Sequence, residues 1–360
     1  MIDTIDFQRL SGIGLTTRII RQLSTLTPTC AEPRLMRVIE VQREGLTLHD
    51  GHGEVRARAL PALTMSLLDD HDALAVGDWA LAERNTLGEW WVHERVAPTN
   101  QIARRLHDGR DKVTRVVLVS NVDTALLVMG LDHDFNLRRL ERYLALARLA
   151  DVAAVVVLTK ADLCPSAAER RREVEAILPA DTAAVTLNAL SDEPLSALRP
   201  WLAPGQTVVL LGSSGAGKST LSNSLIGTEV QRTGANRLDD GRGRHTTTTR
   251  TLHVTSLGGC IIDTPGLRTL RLDGEADAVG AVFDDIQRLS LECRFRDCRH
   301  ADEPGCAVRQ GVPAERLRSF QKLVRESRRD SLTALERKAQ VGAWKARGRH
   351  AKVVAKAKRG

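Results

Sequence analysis

The run Thr207-Val-Val-Leu-Leu-Gly-Ser-Ser-Gly-Ala-Gly-Lys-Ser-Thr220 restricts the fold more than any other part of this 360-residue chain. Five β-formers, Thr207 to Leu211, lead into a glycine-rich turn, and a helical pattern begins at Lys218. The spacing satisfies G-x-x-x-x-G-K-[ST], with Gly212, Gly217, Lys218 and Ser219 in the fixed places. In such a turn the backbone N–H groups of Gly212, Ser213, Ser214, Gly215, Ala216 and Gly217 close around an anionic phosphate. The N-terminus of the helix that follows adds its positive dipole end. Lys218 is placed to reach β- and γ-phosphates, the Ser219 hydroxyl to ligate Mg²⁺, and Thr220 to complete the loop. A strand, loop and helix of this kind belong to an α/β sheet that binds a nucleoside triphosphate.

The segments before this loop identify the base. Val113–Leu118, Ala125–Met129 and Val152–Leu158 read as buried strands, and Asn136–Ala150 and Ala167–Leu178 as helices, which predicts a parallel sheet covered on both faces. The third of these strands ends in Thr159-Lys160-Ala161-Asp162. Ligands of α/β sheets gather at the carboxyl ends of the strands. A carboxylate there accepts hydrogen bonds from guanine N1–H and the 2-amino group, a donor pair that adenine lacks, and the aliphatic stem of Lys160 can lie over the purine. A shorter strand, Ala183–Leu187, ends in Asn188-Ala189, where a backbone N–H can meet guanine O6. A helical segment, Ser191–Leu202, then leads to the phosphate loop.

The segments after the loop identify the γ-phosphate and the metals. Gln231–Arg250 is polar and holds four consecutive threonines, 246–249; it reads as a switch whose threonine completes Mg²⁺ coordination, the alternative being a surface loop. Leu252–Thr255 and Cys260–Ile262 read as strands joined at Gly258-Gly259, and the second ends in Asp263-Thr-Pro-Gly266. Asp263 is expected to hold Mg²⁺ through water and the Gly266 N–H to sense the γ-phosphate. Leu267 follows, where a water-orienting glutamine would stand, and leucine cannot orient water. His245 is the local candidate for that catalytic role; an ordinary exposed histidine is the other reading. Further on, Cys293, Cys298, His300 and Cys306 form C-x₄-C-x-H-x₅-C, three thiolates and an imidazole that make a closed set for one structural zinc per chain.

Short strands with tight turns between them fill Leu35–Val96, and about five strands in some 60 residues fit a small all-β barrel of the OB-fold type. Arg56 and Arg58 alternate with Val55, Ala57 and Ala59, a pattern shared by RNA-contacting and merely solvated strand faces. Pro98–Lys112 reads as a basic linker or connecting helix and Pro313–Trp344 as a helix with Leu317, Phe320, Leu323 and Val324 in one stripe. The expected layout is a lead segment 1–33, a barrel 34–100, a GTPase domain 112–273, a zinc-binding helical domain 280–345 and a basic tail 346–360. Charge follows this layout. Residues 307–360 hold 16 Lys and Arg against 4 Asp and Glu, a local +12, so the rest of the chain carries about −5 of the net +7. A tail of that kind binds nucleic-acid phosphates. No leader sequence or membrane span is read from the chain, and six cysteines, three of them clustered, suit a reducing cytoplasm better than a disulfide framework.

In an ordinary GTPase the phosphate loop precedes the Mg²⁺ threonine, D-x-x-G and the guanine motif. Here Thr159–Asp162 and Asn188-Ala189 precede the loop, so one site built from all of them requires a circular permutation. The chain closely resembles the family of small-subunit-dependent ribosomal GTPases called RsgA or YjeQ over nearly its whole length. The residues carrying this resemblance include Asn121-Val-Asp, Asp134-Phe-Asn-Leu-Arg-Arg-Leu-Glu-Arg142, Gly243-Arg-His-Thr-Thr247, Asp263-Thr-Pro-Gly266 and the cysteine run. It implies an OB-fold barrel, a permuted GTPase domain, one zinc, and late maturation of the small ribosomal subunit with its rRNA, hydrolysing GTP to GDP under stimulation by the subunit. A monomer is expected. Thr159 stands where the family commonly has asparagine, and Asn188-Ala189 where it has Ser-Ala. Two competing readings are a P-loop ATPase or kinase, which Asp162 opposes, and an RNA-binding protein in which nucleotide is structural.

Overall fold

The computed structural model describes residues 5–107, 113–227, 250–264 and 280–331. Two short helices open it, α1 (Phe7–Ser11) and α2 (Thr17–Leu23), within the lead segment whose structure the sequence left open. Each has a side-chain N-cap: Asp6 accepts from the Arg9 N–H and Thr16 from the Ile19 N–H. Leu10, Ile19 and Leu23 from these helices, with Ile13 and Leu15 from the turn between them, pack on Leu35, Trp79, Leu81 and Val96 of the barrel that follows.

The barrel comprises β1 (Arg34–Val41), β2 (Leu46–His49), β3 (Glu54–Ala59), β4 (Trp79–Arg84) and β5 (Trp90–Arg95). β1 pairs antiparallel with both β2 and β4, and β3 closes against β5 in parallel. A helix, α3 (Pro61–Asp69), connects β3 to β4. This five-stranded closure is the OB-fold type, and it leaves no free strand edge. Met36, Val38, Leu48, Ala80, Ala82 and Val92 fill the interior, with small residues compensating for a chain that has little aromatic content.

One expectation fails at the exit from the barrel. Within Pro98–Lys112, Gln101–His107 is a strand, β6, not a linker or helix, and it forms a two-stranded antiparallel ribbon with β7 (Val113–Ser120). Adjacent Arg104 and Arg105 break its apolar residues apart and the register shifts between Ile102 and Ala103, so no period-2 pattern reads from the sequence.

The α/β layer has strand order β10-β9-β8-β11-β13-β12, built from β8 (Thr124–Gly130), β9 (Ala153–Thr159), β10 (Ala183–Thr186), β11 (Thr207–Leu211), β12 (Thr251–Val254) and β13 (Cys260–Asp263). β10, β9, β8, β11 and β13 run parallel, and β12 is antiparallel. All seven residues of β8 are buried, because its two faces serve two cores. Ala125, Leu127 and Met129 face a core shared with α4 (Leu137–Leu149), whereas Leu126 and Val128 face one shared with α7 (Lys218–Ile226). β12 also meets β1 at Glu40 and Thr251, joining barrel and α/β layer edge to edge. Helix α5 (Ala167–Glu175) is shorter than expected. The predicted Ser191–Leu202 helix is instead α6 (Glu193–Ala197) and a single 3₁₀ turn, Arg199–Trp201, because Pro200 follows Leu198 and Arg199.

The C-terminal helices α8 (Asp284–Ser290), α9 (Ala307–Gly311) and α10 (Ala314–Ser331) pack on α4, and Phe283, Ile286, Val308, Leu317 and Leu323 belong to the same core as α4 and β8. Among the described residues no helix is long and apolar enough to cross a membrane.

Candidate functional site

The carboxyl ends of β9, β8, β11 and β13 lie side by side, and the candidate residues sit on the loops that leave them. The phosphate loop springs from β11, all of whose residues are buried. At Gly212 a Cβ would come within 2.4 Å of the Val128 carbonyl on β8, so only glycine lets the loop leave so close to its neighbour. Gly217 has φ +93° and would place a Cβ 3.1 Å from the Thr159 hydroxyl; it turns the chain into α7. Lys218 is buried, and its Nζ donates to the carbonyls of Gly212 (3.0 Å) and Ser213 (2.8 Å), curling the side chain back over the loop. Ser219 and Thr220 follow in the first turn of α7.

The Thr159–Asp162 turn is joined directly to this loop. The buried Thr159 hydroxyl donates to Ala216 O (2.7 Å), and Lys160 Nζ donates to Gly215 O (2.6 Å) and Asp132 Oδ2 (2.8 Å). Lys160 has φ 60°, a left-handed conformation uncommon for a side-chain-bearing residue, and it throws Ala161 and Asp162 into a 3₁₀ turn with Asp162 exposed. Asp263 ends β13 beside the phosphate loop and is buried. The following Thr264 hydroxyl donates to Leu210 O (2.6 Å), tying that strand end to β11. In the 188–189 turn Asn188 N–H donates to Glu193 Oε2 (2.8 Å), and Ala189 is buried. His245, the threonines 246–249, Gly266, Leu267 and the basic tail lie outside the described residues.

Two carboxylates that motif spacing did not single out complete the cluster. Asp132 and Asp134 follow the end of β8, where Asp132 meets Lys160 of the Thr159–Asp162 turn and Asp134 meets Ser213 of the glycine-rich loop. Against the penalty of burial, the Lys160 ammonium holds the Asp132 carboxyl below the usual carboxylate range. Asp134 accepts from the Ser213 hydroxyl, from the Gly130 N–H (3.2 Å) and from Arg139 Nη2 (2.5 Å), so it braces the phosphate loop against α4. Arg170 stacks 5.0 Å over Phe135 and donates to Leu131 O (2.7 Å), locking the same loop from α5. The available signal was a polar Asp-His-Asp turn at the end of an apolar strand.

The four residues of the cysteine run converge. Cys293, Cys298, His300 and Cys306 each offer a ligand atom, all within 4.8 Å of one another. Cys293 Sγ lies 3.7 Å from His300 Nδ1 and 3.9 Å from Cys306 Sγ, and Cys306 Sγ lies 3.5 Å from His300 Nδ1. Metal–ligand bonds of about 2.0–2.3 Å in a tetrahedron put ligand atoms about 3.3–3.8 Å apart, so the set could hold one metal ion. His300 adopts φ 57°, and Glu303 accepts from the Arg299 N–H (3.0 Å) and the Ala301 N–H (2.8 Å), shaping the knuckle that presents the ring.

Comparison with known proteins agrees with this geometry. The family model described as RsgA GTPase matches residues 96–273. A curated protein of Xanthomonas campestris pv. campestris (strain B100), named small ribosomal subunit biogenesis GTPase RsgA, is 42% identical over 282 residues, covering 78% of this chain and 76% of its own length. One of the same name from Xylella fastidiosa (strain M23) is 43% identical over 280 residues, covering 78% and 82%. Among solved structures, YjeQ from Thermotoga maritima superposes with a TM-score of 0.59 at 23% identity, covering 82% of this chain and 98% of that one. YloQ, described as a circularly permuted GTPase, gives 0.55 at 21%, covering 85% and 99%. The barrel, the permuted strand order and the cysteine cluster thus occur together with sequence identity across most of both chains, and the chain belongs to the RsgA GTPase family.

Proposed function

We propose that this protein binds the small ribosomal subunit through its rRNA and hydrolyses GTP to GDP and phosphate in late maturation of that subunit. The subunit supplies the stimulation, and the protein works as a cytoplasmic monomer. The single observation that carries the nucleotide part is the junction between the two loops: Thr159 and Lys160 bond Ala216 and Gly215, so base and phosphate sites are one rigid unit. The ribosomal part rests on the names of the relatives at 42–43% identity.

In this reading Asp162 accepts from guanine while Lys160 lies along the purine. The N–H groups of Gly212–Gly217 receive the phosphates. Lys218 swings from the carbonyls of Gly212 and Ser213 to the β- and γ-phosphates. Ser219 and Asp263 hold Mg²⁺, which neutralises charge on the phosphate oxygens when bound. Gly266 reports the γ-phosphate, and His245, or a group from the subunit, orients the attacking water in place of the missing glutamine. Cys293, Cys298, His300 and Cys306 hold one structural zinc, a soft donor set that suits that ion and leaves no open position. The working units are a barrel 34–100, a GTPase domain 112–273 and a zinc-binding domain 280–345.

Steady-state hydrolysis, with and without purified small subunits, tests this directly. Subunits should raise GTP turnover strongly, ATP should not substitute, and Asp162→Asn should abolish the stimulated rate. Lys218→Ala should lower turnover by about 100-fold or more. A GTP rate indifferent to subunits would remove the ribosomal assignment, and equal turnover of ATP would remove the guanine assignment.

A further inference from the structure

A second group of metal-ligand side chains lies on the barrel, far in sequence from the cysteine run. Cys30, Glu83 and His93 each offer a ligand atom, and the three atoms lie within 4.8 Å of one another at half-buried positions. The segment between α2 and β1 carries Cys30 across the outer face of the β4–β5 hairpin. Thr29 N–H donates to Glu94 Oε1 (2.7 Å) and Glu32 N–H donates to Glu83 Oε1 (2.8 Å), so the two backbone bonds bracket Cys30. Each carboxylate therefore spends one oxygen on anchoring the segment. The other oxygen of Glu83, Oε2, is 3.7 Å from His93 Nε2, within the ligand–ligand spacing of a tetrahedral zinc ion, about 3.3–3.8 Å. The other oxygen of Glu94, Oε2, is buried with no hydrogen-bond partner. Among the described residues neither carboxylate meets a Lys or Arg, and both place negative charge on the Cys30 sulfur. A bulge where β4 pairs with β5, between Leu81 and Ala82, shifts the register next to His93.

We propose that Cys30, Glu83 and His93 form a second metal site, for a divalent ion of the zinc class, that fastens the 24–33 segment to the barrel. Thiolate, imidazole and carboxylate together select a borderline-soft ion over Mg²⁺ or Ca²⁺. The Glu32 N–H already holds the Glu83 carboxylate in place, the outer support that metal ligands require. Three protein ligands leave a fourth position, which solvent fills. The site joins Cys30 to a hairpin that lies far along the chain, so no sequence spacing signals it.

Alkylation footprinting of the full chain tests the site. Metal-stripped wild-type protein is treated with iodoacetamide with and without added Zn²⁺, and each cysteine is followed by mass spectrometry. Zinc should slow alkylation of Cys30 about tenfold or more, because a metal-bound thiolate is a blocked nucleophile. His93→Gln should remove that protection while the Cys298 peptide stays protected. Cobalt titration should likewise show sulfur-to-cobalt absorption that falls by the Cys30 share in Cys30→Ser. Equal Cys30 alkylation with and without zinc, while Cys298 is protected in the same sample, would overturn the proposal. Protection that survives in a folded His93→Gln would overturn the ligand set.

Discussion

At the scale of single residues, the strongest constraint is a buried cation that no nucleotide motif includes. Arg37, on β1, is fully buried, and its guanidinium reaches four separate segments. It donates to Ile13 O, to Gly77 O (3.4 Å), to Asn121 O (3.2 Å) and to the Thr207 hydroxyl (2.9 Å), and it stacks on Trp79. Asn121 reinforces the same junction, accepting from Thr99 N–H (2.8 Å) and donating to Gly77 O (3.0 Å). Arg37→Leu strands several buried carbonyls and should cost about 3 kcal/mol or more in urea denaturation. Arg37→Lys should recover little of that, since an ammonium cannot copy the fork. Asp78, also fully buried, behaves differently. Burial outweighs the pull of Arg95, the Ala75 N–H and Ser120 and pushes its carboxyl up to about 6, with Asp72 adding to the rise. Between about pH 4 and pH 6 the folded chain then keeps a proton that the unfolded chain has released. Stability attributable to Asp78 is therefore full below that window and falls as pH rises through it, by about 1.4 kcal/mol per pH unit at most. The wild-type minus Asp78→Asn difference in unfolding free energy, measured from pH 4 to pH 7, should show that slope and flatten above pH 6.

At the scale of elements, α4 is the beam that links the candidate site to the C-terminal helices. At its N-terminus Asn136 caps the helix and Arg139 grips Asp134, which in turn holds Ser213. Along its length Glu141 pairs with Arg316 (2.8 Å), and Arg142 makes a two-pronged pair with Glu326 (2.6 and 3.0 Å). Arg316 also binds Asp285 through Nε (2.7 Å) and Nη2 (2.8 Å) and lies 4.9 Å over the Phe283 ring. Phe283 packs edge-on against Phe320. This accounts for the Asp134–Arg142 stretch physically: one end serves the phosphate loop and the other serves α8 and α10. Removing one partner of a buried pair leaves the other charge uncompensated, at about 3–5 kcal/mol. Arg316→Met should therefore loosen α8 and α10 first. Their amide hydrogens should exchange faster while those of β8 and β11 hold their protection, and equal acceleration in both would contradict the beam.

At the scale of the whole molecule, four apolar clusters lie along one continuous sheet, and the C-terminal helices have none to themselves, sharing that of α4 and β8. Residues 291–305 contain no helix or strand and are mostly exposed, so a metal held by Cys293, Cys298, His300 and Cys306 would be what keeps the knuckle in shape. Chelation of the full-length protein should melt the 293–312 region and raise exchange there, while the barrel and the α/β layer keep their secondary structure. Circular dichroism with hydrogen exchange would read both, and collapse of the whole chain on chelation would contradict this independence. The barrel, by contrast, closes through backbone pairing and two apolar clusters and should stay folded without the knuckle.

The glycine-rich loop, the Thr159–Asp162 turn, Asp263 and the convergent Cys293, Cys298, His300 and Cys306 were legible from the sequence, because each depends on local spacing: glycines where the backbone must pass close, thiols within one short loop. The buried strands were legible for a similar reason, since burial on both faces leaves a continuous apolar run. The strand at Gln101–His107 was hidden, because two adjacent arginines and a register shift leave it without a period-2 pattern. Asp132 showed only as part of a polar turn after an apolar strand and Asp134 only within the stretch that carries the family resemblance, while Arg37 and the Cys30–Glu83–His93 group left no local signal. Their partners lie 28 to 170 positions away for the bonds Lys160–Asp132, Asp134–Ser213 and Arg37–Thr207. The sequence by itself therefore determined which chemistry the chain carries and the order of its parts. Only the tertiary structure decided which side chains brace that chemistry, since a long-range contact leaves no periodicity in the chain that makes it.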